Sequence, residues 1–284
     1  MELKFLKKLA EMEYKKMIMY PLIIFVAALL IIAVKPPTLG IDLAGGVVVT
    51  AQGINDSPEN IEKYVQDKTG ISVRAEGFSS LSGEKGVNIY APVGSSPEEI
   101  IKVLEEKYPK ARYAQSEVQP TFGKLAQRQG IKAIGYAFLG MAVVVFLFFR
   151  ILIPSGTIIF SAISDMMIAL SLMSLTGIEL SQATIAALLM LIGYSVDSNI
   201  LLTTKMLKRK EKDIEKAYFS AVSTGFTMST TTLGALFALW AISTAQVIDQ
   251  IASVLMFGLL ADFMNTWVLN AGVLKWYLGR GEKQ

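Results

Sequence analysis

Asp197 sits in the run Gly193-Tyr194-Ser195-Val196-Asp197-Ser198-Asn199, inside an apolar stretch over residues 182–204. A stretch of that length crosses a bilayer core of about 30 Å as a helix. A carboxylate at such depth costs about 2.5–3.5 kcal/mol on insertion scales, so it usually faces a bundle interior and marks an ion or substrate pathway. Its plainer role would be a structural hydrogen bond to a neighbouring helix. Helical spacing places Ser195, Asn199 and Thr203 on one face and Asp197 almost opposite, beside Gly193 and Ile200. Polar groups on two sides imply a helix enclosed by protein. Two further apolar runs carry Asp165, one turn after Ser161, and Asp262, which heads a stripe with Thr266 and Asn270 and has Asn265 alongside. Ser220, Thr224, Thr227 and Thr231 make another stripe. Such hydroxyls ordinarily hold helices together. Three carboxylates at membrane depth point further, to a proton relay with Asp197, Asp165 and Asp262 as carriers. Ser195, Ser198, Asn199, Thr224, Thr227 and Asn265 are its expected polar support.

Composition narrows the chemistry. The 284 residues are 52% hydrophobic and 18% charged, with no histidine and no cysteine. Histidine-based catalysis and thiolate–metal sites are excluded, and any proton carrier must be a carboxylate or a less suitable group. No nucleophile–base pair or phosphate loop is present, so the chain does not read as an enzyme, and no metal or other cofactor is expected. The net charge of +3 gives no sign of nucleic acid.

These residues need a membrane scaffold. Apolar runs at 17–34, 133–149, 154–176, 182–204, 217–242 and 251–274 predict six transmembrane helices. Between the first two lies a polar region. Strands are expected at 47–51, 71–75, 87–91 and 112–118. Ser57-Pro58-Glu59 and Ser96-Pro97-Glu98 each supply an N-cap and a proline at the first helical position. The order βαββαβ is that of the ferredoxin-like or split βαβ arrangement. The expected division is a cytoplasmic segment 1–16, helix 17–34, an extracytoplasmic α/β domain 35–130, a five-helix bundle 131–278 and a cytoplasmic tail 279–284. Lys and Arg gather in the N-terminal segment, at Arg150, in the 205–216 connection and in the tail. The connections near Gly177 and at 245–250 have none. That asymmetry places both termini in the cytoplasm and the domain outside.

Gly40-Ile41-Asp42-Leu43-Ala44-Gly45-Gly46, just after the first span, resembles the Gly-Gly motif of the SecD and SecF protein-export membrane proteins. The run from Gly193 and Tyr194 to Asn199 resembles a motif in the fourth helix of SecF members, in its archaeal form. Bacterial members place the aspartate one position later, where this chain has Ser198. They also carry an arginine in the fifth helix, where this chain has Thr224. The resemblance implies an α-helical bundle of the RND-like half-transporter class in the cell (cytoplasmic) membrane. It further implies a SecD-like membrane partner, a Sec translocon channel, a translocating polypeptide and protons as the driving ion. Glycines in the first motif permit a tight turn, and Asp42 is expected to cap or brace that turn. Two other readings stand beside export assistance: a proton-coupled exporter of small molecules or lipids, and a non-transporting scaffold of a translocon.

Overall fold

The structure, a computed structural model, describes residues 12–79, 84–207, 214–243 and 245–281. The first eleven residues, the loop tip at 80–83, Lys210 with its neighbours 208–213, and Lys283 at the C-terminal end lie outside the described residues. In chain order the elements begin with helix α1 (Tyr14–Val34), the helical turn α2 (Ile41–Ala44) and strand β1 (Gly46–Gln52). Then come α3 (Pro58–Thr69), β2 (Arg74–Ser79), β3 (Lys85–Ala91), α4 (Pro97–Lys107) and β4 (Arg112–Val118). The remainder is helical: α5 (Pro120–Phe149), α6 (Leu152–Thr176), α7 (Gln182–Leu207), α8 (Ile214–Ile242), α9 (Gln246–Met264), a π-helical turn (Asn265–Asn270) and α10 (Ala271–Gly281).

The α/β domain has the expected βαββαβ order, as one antiparallel sheet in the order β2-β3-β1-β4. Inward residues alternate along β1, where Val47, Val49 and Ala51 are buried and Val49 is paired with Ile89. Ile61, Val65, Ile100 and Leu104 close the core from the two helices. Both helices start as the sequence dictates, with Ser57 Oγ accepting from Asn60 N (3.4 Å) and Ser96 Oγ from Glu99 N (3.3 Å). The second strand differs from expectation, running over Arg74–Ser79 rather than 71–75. Val73 and Ile71 are apolar because they fill the core from the loop after α3, not because they lie in the sheet.

Six stretches are long and apolar enough to cross a membrane: α1, α5, α6, α7, α8 and the continuous run Gln246–Gly279. α6 forms the centre, with 61% of its most apolar window buried against 11% for α5 and α8. Around it pack α1, α5, α7 and α9, while α8 lies on α7 and α9 at the rim. The start of α1 meets the end of the last span, where a Cβ at Gly272 would come within 2.7 Å of Met17 Cβ. α5 begins at Pro120, three turns ahead of its apolar run, and these turns pack on α2.

The domain is fastened to the bundle at several points. Leu39 pairs with Leu180 in an isolated bridge, with Gly40 N donating to Leu180 O (2.8 Å) and Leu180 N to Thr38 O (2.7 Å). Arg74 pairs with Glu76 (2.7 Å) within the sheet and with Glu179 in the α6–α7 connection. Burial pushes the Glu76 carboxyl up while the Arg74 guanidinium opposes it, and burial takes the adjoining Tyr90 hydroxyl up to about 12.

Candidate functional site

The polar residues of the bundle converge where α6, α7 and α9 meet. α6 delivers Asp165 from a helix whose small residues, Ser161, Ala162, Ser164 and Ala169, allow close approach of neighbours. Asp165 is fully enclosed. Its two carboxylate oxygens accept from Ser195 Oγ (2.6 Å) and Asn265 Nδ2 (2.7 Å). Asp262 is equally enclosed. Its oxygens accept from Ser198 Oγ (2.8 and 2.9 Å) and Thr266 Oγ1 (2.7 Å). The two carboxyl groups lie within each other's electrostatic reach. Among the described residues, neither is ion-paired. A second layer steadies the donors. Asn199 Nδ2 donates to Ser195 O (2.8 Å), and Asn270 Nδ2 donates to Asn199 Oδ1 (2.7 Å). Beside Asp165 the buried Ser161 and Ser164 hydroxyls and Asn265 Oδ1 have no hydrogen-bond partner among the described residues, leaving acceptor capacity next to the pair.

The last span bends its register to reach this cluster. Asn265–Asn270 is a π-helical turn, a geometry frequent at functional sites, which rotates the side chains that follow it relative to a regular α-helix. Trp267 O accepts a hydrogen bond from the buried Tyr218 hydroxyl of α8 (2.7 Å). Trp267 itself packs against Gly225, where a Cβ would stand 1.8 Å from the indole. The wider turn lets Asn265 serve Asp165, Thr266 serve Asp262, and Asn270 serve Asn199.

Asp197 has a different place. The two faces of α7 divide as the spacing predicts: Ser195, Asn199 and Thr203 are buried, whereas Gly193, Tyr194 and Asp197 are exposed. Among the described residues, the bundle buries the inner face of α7 and leaves the other partly open beside α8. Asp197 lines an open groove between α7 and α8 with Tyr194, Ser198, Met228 and Ser229, and Asp262 forms part of the groove's floor. Ser198 thus lies both in the groove and against the buried pair.

Thr224 and Thr227 do not reach the carboxylates either. Their hydroxyls donate to the preceding turn, at Ser220 O (3.1 Å) and Ser223 O (3.1 Å), and both side chains face outward. At Thr224 the chain brings a cation from elsewhere. Lys205 Nζ, on α7, donates to Thr224 Oγ1 (2.8 Å) and Ser220 O (3.0 Å). Spacing within one helix could not reveal that contact, because it joins two. The same holds for Tyr218, whose bond to Trp267 O joins α8 to the last span.

The first motif lies at the N-terminal end of α7, where Asp42 meets Gln182, and not in the buried carboxylate cluster. Gly45 and Gly46 have φ of +82° and +144°, and a Cβ at Gly40 would crowd the Asp42 carboxylate at 2.8 Å. Asp42 does not brace its own turn. Its Oδ2 accepts from Gln182 N (2.5 Å), the first backbone N–H of α7.

Comparison with known proteins places these observations. The family described as SecD/SecF protein export membrane protein, C-terminal, matches residues 99–280, and the SecD/SecF GG motif matches residues 30–52. The chain is 62% identical over 280 residues to a protein-export membrane protein SecF of Thermococcus gammatolerans, covering 97% of this chain and 89% of that one. With a SecF of Pyrococcus furiosus it shares 58% identity, over 98% and 95% of the two chains. Its fold is similar to a crystal structure of SecDF, described as a translocon-associated membrane protein, from Thermus thermophilus, with TM-score 0.73 and 22% identity. That match covers 93% of this chain but only 38% of the longer one. A heavy metal efflux pump shows a more distant likeness, with TM-score 0.50 and 10% identity over 87% of this chain.

Proposed function

The chain belongs to the SecD/SecF family of protein-export membrane proteins, on its archaeal SecF side, and from that we propose that it is the SecF-like half of a SecD–SecF complex that assists translocation using the proton gradient. The observation that carries the proposal is the path from the open groove at Asp197, through Ser198, to the enclosed pair Asp262 and Asp165. Two adjacent buried carboxylates without a cation between them are costly to hold ionised together, and one proton shared between them relieves the cost. Each gain or loss of that proton changes which hydroxyls and amides must donate. Ser195, Ser198, Asn265 and Thr266 belong to two helices, α7 and the last span, so a change of charge is converted into helix rearrangement. The outward polar face of α7 and α8 supports a partner bundle. A SecD-like protein would occupy it, as the remainder of the longer SecDF chain supports. The Sec channel and the translocating polypeptide would be met on the outer side through the α/β domain. The exporter of small molecules or lipids acting alone would need a second copy of this chain to cover the same face. Crosslinking in native membranes that recovered self-pairs alone would favour it.

The test uses the complex reconstituted in proteoliposomes with an imposed proton gradient. Asp262→Asn and Asp165→Asn keep shape but cannot ionise, and each is expected to abolish the gradient-dependent part of export. Asp262→Glu is expected to retain some of it. Asp197→Asn should reduce gradient-dependent export by slowing proton entry. Normal export in all three asparagine variants would exclude proton coupling through this chain.

A further inference from the structure

We propose that the motif over residues 40–46 is a splint carrying movement of α7 to the α/β domain, with Asp42 as its positioning residue; the working role rests on the export reading above. The N-terminus of α7 is capped twice. Ser181 serves the helix locally, since its Oγ accepts from Thr184 N (3.1 Å) while Ser181 N donates to Thr184 Oγ1 (2.7 Å). This leaves the first N–H, that of Gln182, which the local sequence does not satisfy. Asp42, 140 residues away in the chain, supplies the acceptor, and a carboxylate is the group that a helix N-terminus favours. The approach is tight. A Cβ at Gly40 would stand 2.8 Å from Asp42 Oδ1 and 3.3 Å from Ser181 Cβ. The bridge between Leu39 and Leu180 fastens the same junction through backbone hydrogen bonds on the other side of Gly40.

From the cap to the sheet there is no slack. α2 occupies Ile41–Ala44, and β1 starts at Gly46. The intervening glycines hold positive φ, and a Cβ at Gly46 would be 2.6 Å from Ala91 O of β3. Leu43 O is held by Gln127 Nε2 of α5 (2.7 Å), and Gly123 of the same helix lies against it. A displacement of the outer end of α7 must therefore displace β1, one of the two inner strands of the sheet. The inner length of that same helix carries Ser195, Asp197 and Ser198. The link from Arg74 to Glu179 ties the sheet's edge strand to the connection just before α7 and reinforces the coupling. A cap with only local duties would stabilise α7 without setting the position of the domain.

The experiment exploits the absence of cysteine. Spin labels at Lys63→Cys on α3 and Thr176→Cys at the end of α6, both exposed positions, report the domain's position on the bundle in the full chain with its partner. The parent should give one narrow distance distribution. Asp42→Ala should broaden it and lower export by about tenfold. Asp42→Asn, whose amide oxygen still accepts from Gln182 N, should keep the distribution narrow and export near the parental level. If Asp42→Ala does not assemble, the pair Asp42→Cys with Gln182→Cys, joined by oxidation in an otherwise unlabelled chain, should restore export that its reduced form lacks. An unbroadened distribution in Asp42→Ala, a broadened one in Asp42→Asn, export untouched by broadening, or no gain on oxidation would each overturn the proposal. The distance readout involves no transport, so its failure is separable from failure of the export reading.

Discussion

Gly225 and Ser195 show how single atoms set the geometry of the buried pair. A methyl group at position 225 would collide with the Trp267 indole, and that ring is fully buried between α8 and the π turn. Gly225→Ala should therefore cost about 1–3 kcal/mol through overpacking, seen as a lower melting temperature in detergent. It should also weaken gradient-dependent export, because the displaced segment carries Asn265 and Thr266. Ser195→Ala removes one of the two donors to Asp165 and leaves a buried carboxylate under-satisfied. The expected loss is about 1–3 kcal/mol in the same assay. Thr227→Ala, whose hydroxyl donates within its own helix, should leave the melting temperature of the isolated chain unchanged.

At the scale of elements, the π turn and the start of α3 are the informative places. Tyr218→Phe strips the hydroxyl from Trp267 O and keeps the ring. Backbone amide exchange across residues 265–270 should speed up while that in α6 stays the same. In the domain, Asp56 joins the two helices. It accepts from Asn60 Nδ2 (2.9 Å), Lys107 Nζ (3.1 Å), the Tyr108 hydroxyl (2.6 Å) and Ser57 N (2.9 Å). The bond from Asn60, then those from Tyr108, Lys107 and Ser57, hold its carboxyl well below the usual carboxylate range. Its folded pKa is thus depressed, so its stabilisation is present above the unfolded pKa of about 3.9 and fades as pH falls towards the lower folded value. Protection of the amides at the start of α3, taken relative to their intrinsic exchange rate at each pH, should fall in acid in the parent. In Asp56→Asn that protection should be lower at neutral pH and change less with acid.

For the whole molecule, the central question is which surfaces meet lipid, water and partner. Single cysteines at Ala245 and Lys216 flank α8 at its two ends, and the asymmetry of basic residues predicts opposite sides. An impermeant thiol reagent should label Ala245→Cys from outside intact cells and Lys216→Cys only after the membrane is opened. Labelling of both from outside would break the six-span topology. A photocrosslinker at Thr227, on the exposed hydroxyl face of α8, should capture the SecD-like protein. One at Leu30, on the exposed face of α1 away from that groove, should not.

The sequence by itself determined what depends on local pattern. Six apolar runs, paired Ser-Pro helix starts and alternating strands gave the spans and the βαββαβ domain, because helix and strand periods are written residue by residue. It also determined which residues share a face of α7, because a 3.6-residue period alone puts Ser195 and Asn199 opposite Asp197. The second strand was misplaced because Ile71 and Val73 are apolar for the core, and hydrophobicity does not tell a buried loop from a strand. Tertiary structure alone decided which polar residues meet. Asp165 and Asp262 are far apart in the chain and become neighbours only because α6 and α9 pack together. The 3.6-residue repeat could not foresee the π turn that lets Asn265, Thr266 and Asn270 serve three different partners. Nor could it place Asp42 on the first N–H of α7 or Lys205 on Thr224. Each of those contacts joins groups that no local rule relates, and its energy exists only once two elements have been brought within hydrogen-bond distance.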